Sequence, residues 1–263
     1  MRPYRSLLFV PGHKPGWVDK AVRAGAHAVI LDLEDAVPPD AKEEGRAAVA
    51  ASVDRLAGGP TGVVVRVNPL DTDLFARDVA AVVRPGLDAL LLPKVHGRDD
   101  IVAFDALVTA AEIERGLPRG GVGLIPSLET ARSLTAVDAI AAAPRVVSVM
   151  AAAAKDADVS REIGFRWSAA GLETLYLRSK VVLAARSAGL PHVVLGLWQD
   201  VTDLAGLRAF AEANRDLGFG GQVIIHPSHV GIVNEVYPPS DAELDRLRRL
   251  VAAYEDGARQ GQC

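Results

Sequence analysis

The chain is 263 residues long, 49% hydrophobic and 24% charged, an apolar content that fills a sizeable core and excludes a disordered or fibrous protein. Twenty-nine Lys and Arg stand against 33 Asp and Glu, a net charge of -4 that leaves no positive excess for a polyphosphate backbone and sets nucleic acid aside as a partner. The only cysteine is Cys263, so neither an intrachain disulfide nor a cysteine-ligated zinc site can form. Residues 1–6 are polar, and the apolar run that follows lasts about five residues before Pro11-Gly12, too short for a secretory leader. With no stretch near the ~20 apolar residues of a membrane span, no membrane partner is expected, and the expected compartment is the cytoplasm.

Short continuous apolar runs then alternate with longer segments of helical spacing, the pattern of parallel strands buried on both faces. Strands are expected over 6–11 and 28–33, the second followed by a helix over 40–56. Strands over 63–68 and 89–95 come next, with a helix over 99–114, then strands over 122–127 and 146–150. A helix over 171–188, a strand over 193–198, a helix over 204–217 and a strand over 223–226 complete the set. Gly25, Gly86, Gly116, Gly189 and Gly218 fall where helices end. Eight strand–helix units in about 240 residues suit a (β/α)8 TIM barrel better than an open doubly wound sheet. Neither GxGxxG nor GxxxxGK[ST] follows the first strand. One domain over 1–263 is expected.

In such a barrel the chemistry sits at the carboxyl ends of the strands. There the chain places Asp32, Glu34 and Asp35 after strand two, Arg66 and Asn68 on strand three, Lys94 after strand four and Glu129 after strand five. Carboxylates suit a hard divalent cation that keeps several waters, and an arginine grips a carboxylate or carbonyl oxygen in pairs. Together they point to a small anionic oxo acid chelated to a metal. A plainer reading stands beside it. The acidic group is then a polar strand end before the Pro38-Pro39 turn, Arg66 a structural partner of Glu34, Lys94 a snorkelling rim residue, and Glu129 a helix-capping carboxylate.

Six stretches occur in the order of one known family: Arg5-Ser-Leu-Leu-Phe-Val-Pro-Gly12, Ile30-Leu-Asp-Leu-Glu-Asp-Ala-Val37, Val65-Arg-Val-Asn68, Leu92-Pro-Lys94, Ser127-Leu-Glu-Thr-Ala-Arg132 and Ile225-His-Pro-Ser228. Across nearly its whole length the chain resembles the citrate lyase beta-subunit-like proteins of the HpcH/HpaI aldolase superfamily. The resemblance implies a Mg2+-dependent barrel, Mn2+ being a second candidate ion. Such a barrel makes or breaks a carbon–carbon bond between a 2-oxo acid and an enolate, often that of an acyl-CoA. It makes Glu129 the first metal carboxylate and Arg66 the group that holds the developing enolate. Glu34 and Asp35 become the acidic pair supporting the metal's waters and Arg66, and Arg5 and Lys94 carboxylate-binding groups. The second metal ligand falls in a departure from the family: instead of Gly-Ala-Glu-Asp the chain reads Ala151-Ala-Ala-Ala-Lys-Asp-Ala-Asp158. Counting back from Gly164 selects Asp158, with Asp156 as the fallback. Relatives commonly form trimers or hexamers, so a homo-oligomer is expected. They continue into a lid segment that this chain is expected to lack. Thioester hydrolysis on the same site and a non-catalytic role remain the alternatives.

Overall fold

The computed structural model describes residues 2–151, 154–155 and 157–259. Eight parallel strands close into a barrel in chain order, as the alternation predicts. They are β1 (Ser6–Pro11), β2 (Ala28–Asp32), β3 (Gly62–Arg66), β4 (Ala89–Leu92), β5 (Gly123–Leu128), β6 (Met150–Ala151), β7 (Val194–Leu195) and β8 (Gly221–Ile224). Around them run α1 (Gly16–Arg23), α2 (Lys42–Leu56), α3 (Phe75–Val82), α4 (Arg98–Glu114), α5 (Ala131–Thr135) and α6 (Val137–Ala141). Then come α7 (Asp158–Ile163), α8 (Leu172–Ser187), α9 (Leu204–Leu217), α10 (His229–Val236) and α11 (Asp241–Arg259). No helix among the described residues is long and apolar enough to cross a membrane.

The strand period of two splits the apolar residues between two cores. Leu7, Ile30, Val64, Leu91, Ile125 and Val223 fill the barrel interior. Their neighbours Leu8, Val29, Leu31, Val65, Leu90 and Leu124 pack outward beneath the helices. Each such side chain, once buried, contributes about 1.5–3 kcal/mol, and together they hold the barrel closed. The inward series changes character towards the carboxyl ends: Ile30 is followed by Asp32, Val64 by Arg66, and Ile125 by Ser127. Register sets Pro11, Asp32 and Arg66 side by side as successive cross-strand partners, the start of a polar layer at this end of the barrel.

The expected sixth and seventh strands shrink to two residues each. Between the isolated bridge Leu124↔Val146 and the pair Ser127↔Met150, β5 advances three residues and the next strand four. Pro126 lies in that interval and has no N–H to donate, so the ladder breaks there and an extra residue is accommodated as a bulge.

Candidate active site

The β1–α1 and β2–α2 turns are locked together first. Gly12 donates to Asp32 O at 2.8 Å, and a Cβ at position 12 would stand 2.6 Å from that same oxygen. Only glycine permits this approach, which fixes the backbone just where the Asp32 side chain enters the barrel. Asp32 is fully buried. Its carboxylate accepts from the Glu34 and Ala36 amides at 2.9 and 3.1 Å and from Arg66 Nε and Nη2 at 2.7 and 2.6 Å.

Arg66 is thereby clamped as a fork, with its third nitrogen, Nη1, 2.9 Å from Glu34 Oε2 and its guanidinium carbon 4.7 Å above the Phe9 ring. Five N–H groups serve these three carboxylate contacts, so the guanidinium keeps donors for another oxygen. Burial works against its charge, but the hydrogen bonds and charge of Asp32, with Glu34 and Asp35, more than offset this and hold it above the usual arginine range. The plainer reading of Arg66 as a partner of Glu34 is therefore part of the arrangement and compatible with a catalytic role.

Glu129 continues the inward series of β5. Its Oε1 accepts the Lys94 amide at 2.7 Å and its Oε2 the Ser127 hydroxyl at 3.1 Å. The capping of α5 falls instead to Thr130, whose hydroxyl accepts from Ser133 N at 3.0 Å. Burial, reinforced by the negative charge of Glu34, pushes Glu129 up to about 7. Glu34 is raised as well, chiefly by burial, against the opposing pull of Arg66 and Lys94. Lys94 Nζ comes within 2.9 Å of Glu34 Oε1, an ion-pair distance rather than an aligned hydrogen bond, and lies 3.7 Å from Asp35. Lys94 adopts a left-handed backbone with φ 50°. For a residue with a side chain that conformation costs about 1–3 kcal/mol, and here it accompanies an amide aimed at Glu129.

A cavity of about 210 Å³ opens above this layer, lined by Phe9, Asp35, Arg66, Glu129, Asp158 and Arg161 among others. The structure thus brings Asp35, Arg66, Glu129 and Asp158 to one space, with Glu34 and Lys94 directly beneath or beside it. Asp158 is the first residue of α7, and its Oδ1 pairs with Arg161 at 2.6 Å. Asp156, the fallback, lies outside the described residues. Arg5 is a correction. It precedes β1 at the amino-terminal end of the barrel, a strand length of roughly 20 Å from the cavity. There its amide reaches His27 Nδ1 and its carbonyl accepts from Gln222. The resemblance implies Arg5 as a carboxylate-binding group, but its position ahead of β1 puts it at the opposite end of the strand from the cavity.

Two groups escaped the sequence reading. Lys42 Nζ ties the carbonyls of Leu33 and Glu34, at 2.6 and 2.7 Å, to Asn68 Oδ1 at 2.9 Å, bracing the acidic turn. Its place at the start of a surface-type helix gave no signal. Arg161 lies one turn beyond Asp158 on α7, and nothing in its own spacing marks it as a site residue. Among the described residues no three His, Cys, Asp or Glu side chains converge as a metal cage. Mg2+ usually takes only one or two protein carboxylates, with water and substrate oxygens completing its shell. Glu129 and Asp158 on one cavity, both oxygen donors, fit that requirement.

The sequence model of the HpcH/HpaI aldolase/citrate lyase family matches residues 5–227. A (3S)-malyl-CoA thioesterase of Cereibacter sphaeroides is 36% identical over 99% of this chain and 86% of its own length. The citrate lyase subunit beta of Escherichia coli is 32% identical over 99% and 85%. Among solved structures, protein CitE from Mycobacterium tuberculosis in complex with magnesium and pyruvate superposes with TM-score 0.73 at 29% identity, covering 91% of this chain and 92% of that one.

Proposed function

The chain belongs to the HpcH/HpaI aldolase/citrate lyase family, and from that premise we propose that it is a Mg2+-dependent carbon–carbon lyase acting on a β-hydroxyacyl thioester or on the 2-oxo acid that such cleavage yields. The observation that carries the reading is the Asp32–Arg66–Glu34 clamp facing Glu129 across one cavity. A divalent ion held by Glu129 and Asp158 would supply Lewis-acid polarisation of the substrate's carboxylate and neighbouring oxygen.

The chain's own residues account for the remainder. When the carbon–carbon bond breaks, the β-hydroxyl gives up its proton and becomes the oxo group of the 2-oxo acid, the electron pair of the bond moves into the acyl fragment, and negative charge grows on the thioester oxygen until a proton returns to carbon. A guanidinium already fixed by Asp32 and Glu34 meets that charge without reorganising. Preorganised donors of this kind contribute about 10²–10³ in rate. Glu34, with its raised pKa and a buried Oε1 free of an aligned hydrogen bond, is placed to hold a proton beside Arg66. Lys94 limits the negative charge that Glu34 and Asp35 accumulate. Phe9 forms an apolar floor that keeps water from Arg66.

Thioester hydrolysis is the second reading, favoured by the relatives named malyl-CoA thioesterase at 36% identity. There water adds to the thioester carbonyl and the thiolate leaves. Incubation with malyl-CoA and Mg2+ separates the two. Glyoxylate with acetyl-CoA means carbon–carbon cleavage, whereas malate with free CoA means hydrolysis. Turnover by either route eliminates a non-catalytic role, and no product from malyl-CoA or related β-hydroxyacyl thioesters supports it.

A further inference from the structure

Asp158 and Arg161 face the same cavity as Glu129 and Arg66, and they are bonded to each other. The two arginines differ in how they are held. Arg66 is fixed by two carboxylates in three contacts, with 15% of its side chain exposed. Arg161 has Asp158 as its one carboxylate partner among the described residues and leaves 68% of its side chain exposed. An exposed pair of this kind is weak and exchangeable. The backbone beneath it is fixed, because Glu162 Oε2 accepts the Ala131 amide at 3.1 Å and so ties α7 to the turn that carries Glu129. Val159 is buried and anchors the first turn of α7.

A carboxylate paired to a guanidinium is neutralised towards a second cation, and the guanidinium itself repels that cation across a few ångströms. From this geometry we propose that Arg161 is a displaceable counter-cation of Asp158. It yields Asp158 to a divalent metal, and the released guanidinium then grips a second carboxylate on the bound acid. The inference rests on the reading of Glu129 and Asp158 as metal ligands and adds a substrate class to it. An acid carrying a carboxylate beyond the one beside its oxo group gains a partner on the cavity rim. A monocarboxylic oxo acid leaves Arg161 in water. The charges stay paired: the divalent ion replaces the guanidinium at Asp158, its further charge is met by Glu129 and the acid's first carboxylate, and the acid's second carboxylate replaces Asp158 at Arg161. Arginine suits the second half because its fork matches a carboxylate bidentately.

The test is calorimetric titration of wild type, Arg161→Gln, Arg161→Lys and Glu129→Gln, first with Mg2+ alone, then with pyruvate or oxaloacetate at saturating Mg2+. Removing the guanidinium is expected to tighten Mg2+ binding roughly three- to tenfold, with Arg161→Lys close to wild type because it keeps the charge. Arg161→Gln is also expected to weaken oxaloacetate several-fold more than pyruvate. Mg2+ affinity that is unchanged or weaker in Arg161→Gln overturns the inference, and so does an unchanged ratio between the two acids. If Mg2+ binds to no variant, or binds Glu129→Gln as tightly as wild type, the metal-ligand reading itself fails and this inference with it.

Discussion

Two buried networks of acids and arginines occupy opposite ends of the barrel, and they are built to opposite specifications. At the amino-terminal end, Arg145 donates to Asp105, Glu112, Thr109 and the Val122 carbonyl at 2.6 to 3.0 Å. Glu112 also accepts the amides of Gly120 and Val122, both at 2.9 Å. Burial presses its pKa upward, yet Arg145 and the two amides outweigh that, and it sits below the usual carboxylate range. At the carboxyl-terminal end, Glu34 and Glu129 face each other with fewer compensating donors, and both are raised. The first network is saturated and stabilises the fold. The second keeps unspent acceptors and unspent arginine donors in a cavity, the condition of a site awaiting a cation and an anion.

The contrast is sharpest when one arginine of each network is removed. Arg66→Gln is expected to lower kcat/KM for thioester cleavage by about 10²–10³ and, because it leaves Asp32 buried without its partner, to cost about 3–5 kcal/mol of stability as well. Arg145→Gln is expected to cost a similar amount, about 3–5 kcal/mol, because Glu112 loses its buried cation, but to leave kcat/KM of the folded protein nearly unchanged. Equal losses of kcat/KM in the two variants would erase the distinction.

The next test is pH. A carboxylate raised in the folded state from 4.5 to about 7 binds more protons folded than unfolded between those values. Its contribution is therefore fully present below pH 4.5 and is lost as pH rises through 7. Compared with wild type, metal-free Glu129→Gln is expected to lose less stability over that interval. At about 1.4 kcal/mol per pKa unit the difference is on the order of 3 kcal/mol, read from denaturant curves at pH 4.5 and 7.5. Parallel curves would mean that Glu129 ionises normally.

Metal binding should convert the same proton into a signal. Mg2+ takes the ionised carboxylate, so at pH 6.5 its binding is expected to release most of one proton, seen as a dependence of the binding heat on buffer ionisation enthalpy. A buffer-independent heat would contradict a raised Glu129. The smallest effect concerns Lys94. With φ at 50°, Lys94→Gly is expected to be more stable than Lys94→Ala by about 1 kcal/mol, since both lose the side chain and only glycine relieves the backbone.

Much of this was legible in the residues. Eight apolar runs gave the barrel, because strands covered on both faces leave no polar interruption, and the period of two then carried Asp32, Arg66 and Ser127 into the interior. Placement along a strand was less legible. Arg5 and Arg66 both adjoin apolar runs, but one precedes its strand and the other ends it. Pairings made by local backbone geometry were not legible at all. The Lys94 amide on Glu129 requires a left-handed lysine, and the Asp158–Arg161 pair stands one turn apart on α7, just after the stretch that departs from the family's pattern. The first leaves no periodic trace, and the second sits on a helix of only six residues.

Diffraction from crystals soaked with Mn2+ and oxaloacetate, with anomalous data collected to locate the ion, tests the whole account most directly. One anomalous peak is expected at bonding distance, about 2 Å, from carboxylate oxygens of both Glu129 and Asp158, with the acid between it and Arg66. A peak that avoids these two carboxylates, or none in that cavity, would contradict it.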